Sequence, residues 1–125
     1  MTQDEWLIPE KPYDLRLRLF NFACVIVRLV QCLHTRGPDA ASLSDQILRA
    51  GNSAGANYEE PDDGSSAADK LAKRKITLRE LKETNFRLRV LRTTGYLTPA
   101  HDPVIQESLE LKRIVAKVIR NSGGR

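Results

Sequence analysis

The sequence predicts an all-α protein, an antiparallel up-down-up-down four-helix bundle, and three observations carry that expectation. Apolar residues recur every three or four positions in four long segments, and no segment shows convincing strand alternation. Clusters of Gly, Pro, Asp and Ser separate the segments by about 4 to 8 residues, and such short links make successive helices antiparallel neighbours. At 125 residues, 41% hydrophobic and 29% charged, the chain holds one modest core and is too short for two ordinary domains. A single domain over residues 1–125 is expected, with an N-terminal extension at 1–12 and a frayed tail at 120–125.

The first helix opens with Asp14 as N-cap, runs to Arg36, and is closed by Gly37-Pro38. Its apolar face is Leu15, Leu19, Phe22, Ile26, Leu29, Val30 and Leu33. The second begins near Ser42 and ends before Pro61, with Leu43, Ile47, Ala50, Ala54 and Tyr58 on one side. Gly in a helix interior costs about 1 kcal/mol relative to Ala, so Ala50-Gly51 and Ala54-Gly55 predict the close approach of another helix. Along the same helix Gln46, Arg49, Ser53, Asn57 and Glu60 form a polar stripe. It reads either as a hydrogen-bond network tying helices or subunits together or as a ligand-binding face.

The third helix follows the loop at residues 62–66, runs from Ala67 to Thr94 and stops at Gly95. Leu71, Leu78, Leu81 and Leu88 share one arc of this helix, and Ala72, Ile76, Phe86 and Val90 lie in a second, about 150° away. A second apolar stripe predicts a second partner, a neighbouring subunit; a wide single face in a tight bundle is the alternative. The fourth helix takes Asp102 as N-cap and Pro103 at its first position. It continues through Ile105, Leu109, Ile114, Val115, Val118 and Ile119 and frays over residues 121–124.

Charge is unevenly placed. The net charge is +4, but residues 70–92 hold nine Lys/Arg against Glu80 and Glu83, a local +7 that leaves −3 for the rest. Lys75, Arg79, Lys82 and Arg89 share one side of the third helix, a stripe that can track phosphates of RNA or DNA. Phe86 is the only aromatic among these charges, so base stacking and sequence readout are not expected. The alternative is a solvated face paired with the acids Glu59, Glu60, Asp62 and Asp63.

Catalysis is not expected, and no catalytic residue is assigned. The chain lacks phosphate-binding glycine loops, HExxH, GxSxG and the paired Glu-x-x-His of di-iron bundles. Cys24 and Cys32, eight residues apart on one helix, are separated by about 12 Å, too far for a disulfide. Cys32 and His34 fall on opposed helix faces, so no local zinc site can form; no metal, cofactor or small-molecule substrate is expected. The N-terminus MTQDEWLIPEK has no signal-peptide pattern, and the longest apolar stretch spans only residues 22–27. A cytoplasmic protein without a membrane partner is expected.

The run from Gln46 to Glu60, QILRAGNSAGANYEE, resembles the signature of bacterial ribosomal-RNA intervening-sequence proteins. So does Leu88-Arg89-Val90-Leu91-Arg92-Thr93-Thr94-Gly95-Tyr96-Leu97, with Lys82-Glu83-Thr84 before it, and the similarity covers about residues 13–119. The resemblance implies a non-enzymatic four-helix bundle assembled as a homopentamer. It extends to the accessory protein of diversity-generating retroelements, a basic pentamer that binds nucleic acid. Arg49, Ser53, Asn57 and Glu60 match the family's marker positions and by that resemblance belong at a helix or subunit contact, where Ile76, Phe86 and Val90 are also expected. Pro61 and the acidic loop depart from the small residues of the family pattern. The reading is an oligomeric nucleic-acid-binding or scaffolding protein; the alternative is a protein–protein interaction module without a nucleic-acid role.

Overall fold

Each of the four apolar periodicities becomes a helix in the computed structural model, which describes residues 6–8, 11–59 and 64–122. The helices are α1 (Leu15–Leu33), α2 (Pro38–Glu59), α3 (Ala67–Thr93) and α4 (Asp102–Ser122), with a short 3-10 turn at Pro99–His101 before α4. They form a four-helix bundle, and no strand occurs among the described residues. Successive helices are antiparallel, because their contacts run in opposite register: Arg49 and Ala54 of α2 meet Glu80 and Thr77 of α3. Asn85 and Arg92 of α3 likewise meet Ser108 and Asp102 of α4.

Helix ends follow local chemistry, with three departures from the sequence expectations. Asp14 caps α1, its side chain accepting from the Arg16 N–H, but the helix ends at Leu33 rather than Arg36 and Gly37 turns the chain at φ +122°. Pro38 begins α2 instead of closing α1, four residues ahead of Ser42. Its missing N–H is harmless at a first position, where no intrahelical acceptor exists. Asp102 is the first helical residue of α4 (φ −55°, ψ −35°) rather than its N-cap; Thr98 caps the 3-10 turn before it, its hydroxyl accepting from the Ala100 N–H while His101 Nδ1 accepts from the Thr98 N–H.

The core joins Leu19, Phe22, Ile26, Leu29, Leu33, Ile47, Leu81, Leu88, Leu91, Leu97 and Leu111, each at most 2% exposed. On α4 the buried row is Val104, Leu111, Val115 and Ile119, while Ile105, Leu109, Ile114 and Val118 are only half-buried. The inward face of α3 is partly polar, and its buried groups are paired. The Thr77 hydroxyl donates to the Ala54 carbonyl (2.8 Å) and Asn85 donates to Ser108 (2.9 Å). Gly51 lets α1 close on α2: a Cβ there would lie 3.1 Å from two carbons of Ile26, whereas at Gly55 the nearest atom is 3.6 Å away.

Trp6 and Lys11, ahead of α1, both reach the bundle. Trp6 is 4% exposed, with its ring centroid 5.0 Å from that of His101, and Lys11 reaches Glu110 of α4 at 3.1 Å.

Candidate nucleic-acid interface

The outward side of α3 is a single row. Lys75, Arg79, Lys82, Phe86 and Arg89 follow one another at steps of four, three, four and three residues, so all five side chains project from the same side. The row is about 21 Å long at the rise of an α-helix. Lys75, Lys82 and Arg89 are exposed, the Arg79 side chain is 72% exposed, and Phe86 is 55% exposed. Arg89 is held in place: its Nε donates to Asn85 Oδ1 (3.0 Å) and its guanidinium carbon lies 5.8 Å from the Phe86 ring centroid. The basic stripe and the second apolar stripe are therefore one surface, with Phe86 inside the cationic row. Ile76 and Val90 sit half-buried at its margin, Val90 lining a groove of about 510 Å³ with Leu43 and Tyr96.

The acids of α3 are occupied elsewhere. Arg49 of α2 donates to Glu80 (2.8 Å) and to Glu83, and Arg87 also reaches Glu83 (3.3 Å). Glu80 is 4% exposed, and its second oxygen lies 3.7 Å from Arg79 Nε. The Arg49 contacts join α2 to α3 and occupy an oxygen of each carboxylate, leaving Arg79 as the one member of the row that shares an acid, Glu80. Lys75 and Lys82 form no ion pair with any described residue. Two further members of the polar stripe bond to each other: Asn57 donates to the Ser53 carbonyl and hydroxyl (2.8 and 3.0 Å). Glu60, Asp62 and Asp63 lie outside the described residues, and Glu59 is exposed at the end of α2.

A second ionic cluster, which periodicity does not reveal, ties α1 to α4. Arg18 donates to both oxygens of Glu107 (2.8 and 2.7 Å) and to Glu110 (2.8 Å), with Glu107 only 2% exposed. The Glu107 bond raises the Arg18 pKa, while bonds from Lys11, then Gln106 and Arg18, hold Glu110 below the usual carboxylate range. Glu-x-x-Glu at 107 and 110 was visible as adjacent helix positions, but nothing in the spacing paired it with Arg18.

Between α1 and α2 runs an apolar groove of about 230 Å³, lined by Phe20, Cys24, Val27, Gly55, Ala56 and Glu59 among others. Among the described residues there is no group of three His, Cys, Asp or Glu able to hold a metal ion. No helix among them is long and apolar enough to cross a membrane. Chemically, the outward row of α3 offers fixed positive charge and one aromatic ring.

Comparison with known proteins adds two findings. A family model described as 23S rRNA-intervening sequence protein matches residues 15–117. A crystal structure from Bacteroides thetaiotaomicron, of a protein with unknown function from the S23 ribosomal protein family, is similar at 31% identity with a TM-score of 0.79. That similarity covers 86% of this chain and 100% of the other. No curated protein matches.

Proposed function

We propose a function from the premise that this chain belongs to the 23S rRNA-intervening sequence protein family: it is a non-enzymatic helical bundle that self-assembles and binds nucleic acid through the outward face of α3. One observation carries this reading. Four cations stand in one row, and the neighbouring acids Glu80 and Glu83 are bonded to Arg49 and Arg87, with only Arg79 of the row sharing Glu80. A row about 21 Å long, in which Lys75, Lys82 and Arg89 pair with no described carboxylate and Arg79 shares Glu80 with Arg49, attracts a phosphate backbone without reading its sequence. Self-assembly multiplies the effect, because each copy adds a row and linked rows raise the effective concentration of the next contact. The apolar groove between α1 and α2, with Phe20 and Val27 exposed in its lining, is the surface suited to a second copy.

Fluorescence anisotropy with a labelled RNA or DNA oligonucleotide tests the reading. Binding by the native protein, lost when Lys75, Arg79 and Lys82 are changed together to Gln with the melting temperature unchanged, supports it. No binding at low salt supports the protein-interaction module instead.

A further inference from the structure

We infer that Phe86 is a stacking platform for an unpaired base, so that the α3 face prefers single-stranded nucleic acid to duplex; this rests on the reading of that face as a nucleic-acid interface. The row itself is the argument. Phe86 follows Lys82 by four residues and precedes Arg89 by three, so a ring stands where the spacing would place the next cation. A lone exposed Phe on a mixed surface needs no explanation. This one has cations on both sides along the helix, and it remains 55% exposed although Arg89 packs 5.8 Å from its centroid. The arrangement suits a strand whose phosphates meet Lys75, Arg79, Lys82 and Arg89 while one base lies on the ring and the adjacent guanidinium.

Two competing occupants fit less well. The buried centres of protein–protein interfaces are depleted in Lys, and closing a second copy over Phe86 would desolvate Lys82 and Arg89 with it. Duplex keeps its bases stacked inside, so the ring reaches one only after the helix is unstacked at additional cost. Single strands present their base faces without that step.

The test compares a labelled mixed-sequence single strand with the same strand annealed to its complement, using the full-length protein and Phe86→Leu. Leucine keeps an apolar side chain at an exposed position but has no π-face. The expected result is tighter binding of the single strand by the native protein. Phe86→Leu should lose about tenfold of that affinity, the scale of one base–aromatic stack, with duplex binding and the salt dependence unchanged. Equal affinity of both variants for the single strand, while the triple Gln variant still abolishes binding, overturns the platform and leaves the electrostatic interface standing. A drop in assembled mass on light scattering for Phe86→Leu overturns it in favour of a subunit contact. Absence of binding to either oligonucleotide overturns both readings.

Discussion

Arg18 and Arg49 make similar bonds in different surroundings, and the difference should be measurable. Arg18 and Glu107 have side-chain exposures of 11% and 2%, whereas Arg49 is 56% exposed above a 6% exposed Glu80. Removing Arg18 strands a buried carboxylate, and Arg18→Ala should destabilise the protein by about 3–5 kcal/mol. Arg49→Ala leaves Glu80 near Arg79 and open to water on one side, so a loss of about 1–3 kcal/mol is expected. Urea denaturation of the two variants checks the order. His101 supplies a pH dependence. Burial lowers its pKa from the ordinary 6.5, with Arg36 and Arg92 acting in the same direction against the Thr98 bond and Asp102. The unfolded chain then binds the proton more readily, so the contribution to stability is complete above pH 6.5 and declines as pH falls toward the lowered folded value. Thermal melts between about pH 7.5 and 5 should show this decline, and His101→Asn should reduce it.

At the scale of elements, the two helical glycines should respond in opposite directions to alanine. At Gly55 a Cβ meets only ordinary contacts, so Gly55→Ala should gain up to about 1 kcal/mol of helix propensity. At Gly51 the new carbon presses on fully buried Ile26, and the expected overpacking loss of about 1–3 kcal/mol outweighs that gain. Melting temperatures of the two variants decide the point. The helices themselves were legible because three- and four-residue periodicity is intrinsic to the chain. The start of α2 was not, since Gly-Pro serves equally as the stop of one helix and the start of the next. The phase of α4 was obscured because Ile105 and Leu109 offer an apolar arc beside the buried one. Trp6 and the Arg18–Glu107 bond were invisible because they join distant parts of the chain, which spacing does not encode. The α3 row was fully present in the sequence. Phe86 is visible among those charges, but a single ring gives no expectation of base stacking until its place in the row and its exposure are known.

For the whole molecule, self-assembly is the first expectation. Light scattering at micromolar concentration should give about five times 14.1 kDa for the pentamer that the family resemblance implies. Phe20→Glu, placing a charge in the α1–α2 groove, should lower that mass while a monomeric bundle stays folded. A 14.1 kDa species for the native protein would remove self-assembly from the proposal.

The most direct measurement of the nucleic-acid reading is the salt dependence of oligonucleotide affinity, followed by anisotropy from about 50 to 200 mM salt. Each neutralised phosphate contributes about 0.7 to 0.9 to the slope of log affinity against log salt. With four cations in the α3 row, the expected slope is about 3 for each row engaged, falling by about 2 when Lys75, Arg79 and Lys82 become Gln. A slope that those substitutions leave unchanged, or no binding at about 50 mM salt with tens of micromolar protein, would contradict an interface on α3.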